Sequence, residues 1–303
     1  MRTMWTRRQV VWALGLAGAA GWMGCTGDAR RPATVSLMAA GSLNNAFEHG
    51  LSAAIDADIT LEIEAHGSAT VARLIAEGQR DPDIVTVADE ALFDGPLHPP
   101  WYALFATNAL VIAYNPDTPG GRRLAAAGTE RWFEPLRSGD VRIGRTDPDE
   151  DPLGYRTLFM LDLADRYYEG ASALREQLLT RDQIYPETGL ISQFETGSID
   201  AAFAYRNMAI ERDYAYVELP PPINLSDPAF ADDWYATTQY TLPSGKSVTG
   251  GVIRYASTMR RITPITQRVF QAQLTGDYLE AYGLSIPSNY PHFVGDVPGD
   301  VMV

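Results

Sequence analysis

The sequence predicts an α/β protein, and three observations carry that prediction. Short apolar or alternating runs in the first hundred residues are separated by stretches with apolar residues three and four apart, giving the order β-α-β-α-β that marks a parallel sheet. Strand passes to helix at a Gly-Ser pair twice, at Gly41-Ser42 and at Gly67-Ser68. The same alternation resumes after the apolar stretch Tyr102 to Tyr114, which places a crossing into a second lobe. A chain of 303 residues with 46% hydrophobic and 10% aromatic content can build one or two such domains with real cores, and general disorder is excluded.

Residues 1–32 stand apart as an address. Arg7 and Arg8 precede an apolar run to Met23, the arrangement of a twin-arginine export signal, and Cys25 follows in the position of a lipoprotein processing box. Trp22 and Met23 depart from the leucine and small residues usual in such a box. The run from Val10 to Met23 is fourteen apolar or small residues, too few to span a bilayer comfortably, so an uncleaved anchor is the weaker alternative. Cys25 is the single cysteine, which excludes disulfides within the chain and any cysteine-clustered metal site.

Beyond the address, Thr34 to Ala39 reads as a buried strand, followed by a helix with Phe47, Leu51, Ala54 and Ile55 as its apolar stripe and Ser42 where a cap belongs. Ile59, Leu61, Ile63 and Ala65 alternate as a second strand; a helix with Val71, Leu74 and Ile75 inward follows, then a third strand over Asp83 to Ala88. Tyr102 to Tyr114 reads as one long apolar strand. The second lobe then holds a strand ending near Ile143, a long helix from Gly154 to Tyr168, a second from Ala171 to about Arg181, a short one opening at Pro186-Glu187-Thr188-Gly189, and a strand from Ile199 to Tyr205. Tyr216 to Leu219 leads into Pro220-Pro221-Pro222 and a polar surface excursion through Asp233. Strands around Tyr235 to Thr241 and Gly251 to Tyr255 precede a helix capped by Thr263 with Pro264 in its first turn, then a last helix reaching Tyr282 and an irregular Pro- and Gly-rich tail from Pro287. The expected division is a first lobe over 33–109, a second over 110–212, and a return to the first over 213–303.

The formal charge is -14 and the basic residues are almost all arginine, with Lys246 the single lysine. Such a surface suits high salt and repels a nucleic acid duplex or an anionic membrane, so no nucleic acid partner is expected and membrane contact is expected through a lipid at Cys25 alone.

The densest candidate chemistry is Gly144 to Arg156, GRTDPDEDPLGYR, with four carboxylates at 147, 149, 150 and 151. Pro148 and Pro152 forbid helix across its middle, so the acids lie on a loop between strand and helix, where open α/β sheets bind ligands. The alternative is a solvated acidic turn. Two Gly-Ser junctions at the ends of neighbouring parallel strands bring two helix N-termini and two hydroxyls, Ser42 and Ser68, near one point, which is anion-site geometry needing no cation. The competing assignment makes both serines ordinary N-caps. Glu187 sits in a first helical turn, where the macrodipole suits an acid. Histidines 49, 66, 98 and 292 form no spaced metal motif, and there is no G-x-S-x-G elbow.

Taken together, Ala40-Gly41-Ser42-Leu43, His66-Gly67-Ser68, WYALFATNALVIAYN at 101–115, the acidic loop, Pro186-Glu187-Thr188, Phe203-Ala204-Tyr205-Arg206 and LPPPINL at 219–225 run in the order found in one family. The chain resembles the substrate-binding lipoproteins of tungstate and molybdate ABC transporters, the WtpA and archaeal ModA group. The resemblance implies a two-lobed type II periplasmic-binding-protein fold, each lobe a mostly parallel sheet flanked by helices, with the ligand in the interlobe cleft. It further implies that Gly41, Ser42 and Ser68 grip the oxyanion, that Asp151 and Glu187 coordinate its metal centre, and that Tyr205 lines the cleft. The bound ligand would be tungstate or molybdate, there would be no cofactor and no catalysis, and the partner of this monomer would be an ABC permease at the extracellular face of the membrane. Leu153 and Gly189 depart from the residues frequent in relatives and bear on fine selectivity. A receptor for another oxyanion, an organic acid or a sugar stays open as an alternative, and a hydrolase using Asp151 and Glu187 as an acid–base pair is the third.

Overall fold

The structure, a computed structural model, describes residues 32–168, 173–180, 183–243, 245–299 and 301. The export address, with Arg7, Arg8 and Cys25, lies outside the described residues, as do parts of the expected 171–181 helix. No helix among the described residues is long and apolar enough to cross a membrane.

Two sheets, each with its own apolar core, carry the fold. In the first, β1 (Ala33–Ala40) pairs in parallel with β2 (Ile59–His66) and with β3 (Ile84–Val87), as the opening alternation requires. The chain then lays β4 (Trp101–Thr107) in the same sheet and β5 (Leu110–Tyr114) in the other. The long apolar stretch is therefore two strands, broken at Asn108-Ala109. Both are buried along most of their length, and continuous burial erases the alternation that would mark where one strand stops.

The second sheet runs β6 (Ile143–Gly144), β7 (Ala201–Tyr205), β5, β8 (Tyr216–Glu218) in spatial order, with β7 antiparallel to β5 and parallel to β6. Because β8 pairs with β5, the chain is still in the second sheet beyond residue 213. A hairpin of β9 (Gln239–Thr241) and β10 (Ser247–Thr249) follows, and the first sheet is rejoined only at β11 (Arg254–Met259). The expected return at 213 is thus some forty residues early. β11 inserts antiparallel between β3 and β4, and β12 (His292–Gly295) closes the edge beyond β4. Two of the five strand pairs in the first sheet are parallel, so the sheets are mixed rather than mostly parallel. The tail from Pro287, expected to be irregular, contributes β12, an edge strand defined by its partner rather than by its own composition.

The first core gathers Leu37, Phe47, Phe105 and Phe270 with Trp101, whose ring meets Phe270 edge-on at 5.5 Å. The second gathers Trp132, Phe159 and Phe203 around the Pro152–Tyr167 helix. The two crossings between sheets run side by side, with Asn108 N–H donating to Ile253 O at 3.0 Å. Pro264 opens the Pro264–Thr275 helix behind Thr263, the cap expected from sequence, and Thr266 returns the bond to make the cap reciprocal.

Candidate functional site

The carboxyl ends of β1 and β2 and the end of β7 meet at one small cavity of about 10 Å³, whose ten lining residues include Gly41, Ser42, Ser68, Asp151, Glu187 and Tyr205. Those six are the residues that the family resemblance implied, drawn from separate segments. Larger grooves of about 500 and 520 Å³ gather none of them, and one of about 340 Å³ takes in Asp151 alone. A cavity of about 10 Å³ has room for roughly one water, so a larger solute enters only if the walls part.

Neither serine is an N-cap. The cap position of the Gly41–Leu43 turn is Ala40 and that of the Ser68–Ala76 helix is Gly67, and neither receives a side-chain cap bond. The hydroxyls are used elsewhere. Ser68 Oγ, in a residue only 2% exposed, accepts the backbone N–H of Ala88 at 2.9 Å, which leaves its own hydrogen free to donate. Ser42 Oγ lies 2.9 Å from the Tyr255 hydroxyl, and Asn207 Nδ2 donates to the Ser42 carbonyl at 2.5 Å. The Ser68–Ala76 helix begins at the cavity, and its first-turn amides have no partner within the helix.

From the second lobe, Asp151 is the N-cap of the Pro152–Tyr167 helix, its carboxylate accepting Leu153 N–H at 2.9 Å. Gly154 makes the turn possible, because a Cβ there would lie 2.5 Å from the backbone of Asp147 and Pro148. Of the loop's four acids, Asp149 and Glu150 are exposed, Asp149 accepting the Tyr240 hydroxyl at 2.6 Å, and only Asp151 reaches the cavity. Glu187 opens the Glu187–Glu195 helix and presses against the first lobe: a Cβ on Gly41 would lie 2.9 Å from its Oε2. Burial raises the Glu187 pKa to about 7, and the neighbouring Asp151 charge adds to the rise. Burial likewise raises Asp151, against the opposing pull of the Leu153 amide and Arg156.

Arg156, beyond the residues chosen from sequence, is buried and bridges the lobes. Its guanidinium donates to Tyr205 Oη at 2.8 Å in the second lobe and to Ala88 O at 2.8 Å in the first, with Asp89 Oδ2 3.7 Å away. Tyr155 Oη donates to Asp89 at 2.5 Å across the same junction. Both residues end the DPLGYR run of the acidic loop as Gly154-Tyr155-Arg156, and an arginine near the start of a largely apolar helix was the available signal.

Chemically, the cavity offers two carboxylates that share one desolvated space, opposed by hydroxyl and amide donors, with no lysine or arginine in its wall. Among the described residues no group of three or more His, Cys, Asp and Glu side chains is placed to hold a bare metal ion. A pair of carboxylates can complete a coordination sphere only for a centre that arrives with its other ligands.

Residues 35–260 match the family model described as bacterial extracellular solute-binding protein. A Haloferax volcanii protein, named provisionally as a molybdenum-binding protein of an ABC transporter, is 52% identical over 97% of this chain and 96% of its own length. The molybdate/tungstate-binding protein WtpA of Thermococcus kodakarensis is 32% identical over 76% of this chain and 74% of its own. The periplasmic molybdate-binding protein of Azotobacter vinelandii superposes with a TM-score of 0.57 at 15% identity, covering 84% of this chain and 100% of that one, a likeness of fold.

Proposed function

The chain belongs to the bacterial extracellular solute-binding proteins, in the ABC-transporter group that includes WtpA, and on that footing we propose that it captures tungstate or molybdate between its two lobes. Ser42 and Ser68, with the amides at Gly41 and the start of the Ser68–Ala76 helix, donate to the oxo ligands. Asp151 and Glu187 add two oxygens to the hexavalent metal, a hard centre that accepts further oxygen donors, and take it from four-coordinate to six-coordinate. The observation that carries this reading is the half-buried carboxylate pair lining one cavity with hydroxyl and amide donors and no lysine or arginine in its wall. For an ordinary anion that pair is repulsive; for a metal centre able to expand its shell it is a ligand set. Sulfate cannot expand, so the same pair selects against it.

Arg156 holds the Tyr205 ring against the cavity through its bond to the hydroxyl at 2.8 Å, with the Asp89 carboxylate 3.7 Å away as its counter-charge. The relatives named above are binding proteins, so Asp151 and Glu187 are assigned to coordination rather than to acid–base work. The same reading has Arg7 and Arg8 direct export and Cys25 carry a lipid, so that the monomer works at the outer face of the membrane and hands its ligand to a permease. Calorimetric titration of the purified protein with tungstate, molybdate, sulfate and phosphate tests the proposal. Heat of binding for the first two and little for the others is expected; equal binding of sulfate would overturn it.

A further inference from the structure

Behind Ser42 lies a buried chain of side-chain hydrogen bonds in which every polarity can be assigned. Asn108 sits at the crossing between the two sheets and is 2% exposed, while Asn207 and Tyr255 are 0% exposed. The side-chain oxygen of Asn108 accepts the backbone N–H of Ala109 at 2.9 Å and that of Asn207 at 3.4 Å. Backbone amides only donate, so the Asn108 oxygen must face them and its NH₂ must face the other way. That NH₂ therefore donates to Asn207 Oδ1 at 2.8 Å and to Tyr255 Oη at 2.9 Å. Asn207 is oriented independently, because its own NH₂ meets the Ser42 carbonyl, which only accepts, at 2.5 Å, with a Glu211 carboxyl oxygen at 3.4 Å.

With its oxygen taken by Asn108, the Tyr255 hydroxyl has one hydrogen to place. Among the described residues its partners are Asn108 Nδ2 and Ser42 Oγ, and the first is a donor. A hydroxyl at this depth that kept its hydrogen unpaired would bear the desolvation penalty of an unmade bond, so the hydrogen goes to Ser42 Oγ. Ser42 then cannot donate backwards, and its own hydrogen is left for the cavity. Ser68 reaches the same condition by a shorter route, since Ala88 N–H occupies its oxygen.

We infer that Asn108 and Tyr255 are positioning residues that fix the direction of hydrogen bonding at Ser42 and make its hydroxyl an obligatory donor to a ligand oxygen. The inference rests on the proposal that Ser42 faces a bound oxyanion. Both amides lie where the lobes join, so the donor is aimed by the same residues that connect the two halves.

The test is calorimetric titration of the full chain with sodium tungstate, with melting temperatures recorded in parallel. Asn108→Asp keeps the shape but replaces the donating NH₂ by an acceptor. Tyr255 then turns its hydrogen to the aspartate and its oxygen accepts the hydrogen of Ser42, which is withdrawn from the cavity; binding should weaken about tenfold or more. Adding Tyr255→Phe to that variant releases Ser42 and should recover at least about threefold, whereas two merely structural losses would add. Should Asn108→Asp not fold, the same question is answered by Tyr255→Phe in two backgrounds: it should weaken binding in the native chain by about threefold or more, and by under about twofold once Ser42→Ala has removed the group it aims. A double variant no better than Asn108→Asp, or a Tyr255→Phe effect equal in both backgrounds, overturns the relay while leaving the oxyanion reading intact. Absence of tungstate binding by the unmutated chain overturns that reading and the relay with it.

Discussion

At the scale of single residues, the two acids of the cavity give predictions of opposite sign for two ligands. If Asp151 and Glu187 bond the metal centre, Asp151→Asn or Glu187→Gln removes an oxygen donor, and tungstate affinity should fall by at least ~1.4 kcal/mol, a tenfold loss. Sulfate has no use for a donor, so neutralising either acid relieves repulsion and its weak binding should hold or improve. Tungstate binding that survives both substitutions leaves an anion pocket without coordination. The raised Glu187 pKa carries a second prediction, about stability. A carboxyl whose pKa lies higher in the folded chain, near 7, than in the unfolded chain, near its ordinary 4.5, binds more protons when folded between those values. Stability of the ligand-free protein should therefore decline as pH rises across that window. Glu211, also raised to about 7 by burial, contributes in the same direction, so the diagnostic quantity is the difference between native and Glu187→Gln melting curves: the variant should show the shallower decline. Identical pH profiles would count against a buried, protonatable Glu187.

At the scale of elements, Thr263 and Gly154 are predicted to fail differently. Thr263→Ala removes the reciprocal cap of the Pro264–Thr275 helix, far from the cavity, and should lower stability by about 1 kcal/mol with unchanged tungstate affinity. Gly154→Ala forces a methyl into the Asp147-Pro148 backbone, should cost about 1–3 kcal/mol, and should also weaken binding because Asp151 is carried by that turn. Equal affinity in both variants would detach Asp151 from the site. The contrast also marks what was legible in the chain. Thr263 and Pro264 announce a helix start by local chemistry, and the structure has it there. Ser42 and Ser68 announce a strand-to-helix junction correctly, but their hydroxyls serve Tyr255 and Ala88, partners 213 and 20 residues away that no local pattern encodes. β4 and β5 look like one strand in sequence because burial on both faces hides a boundary, and Asn108, an amide in an apolar run, is the visible interruption. β12 was missed because an edge strand takes its identity from the neighbour it pairs with. Arg156 and Tyr255 take their partners, Ala88 and Ser42, from elements far away in the chain, which no local pattern encodes.

At the scale of the whole molecule, donors come from one lobe and acids from the other, so a ligand that touches both stabilises the state in which they meet. The cavity of about 10 Å³ has room for roughly one water, so on the proposed function the lobes are expected to separate to admit a tetrahedral oxyanion. Small-angle scattering should therefore show a more compact average particle with saturating tungstate than without, and Tyr155→Phe, which removes the Asp89 contact across the junction, should shift the ligand-free average towards the open form. Unchanged scattering in both comparisons would mean fixed lobes.

The hairpin of β9 and β10 offers a way to watch that motion. It carries Lys246, the single lysine of the chain, exposed on the second lobe with its ammonium 3.0 Å from the carbonyl of Ala91 on the first. Apart from the chain's own N-terminus, an amine-reactive dye has one place to attach, and that place lies where the two halves meet. Nature has left the molecule with a built-in labelling address, so its fluorescence could time opening and closing in solution without any engineered cysteine.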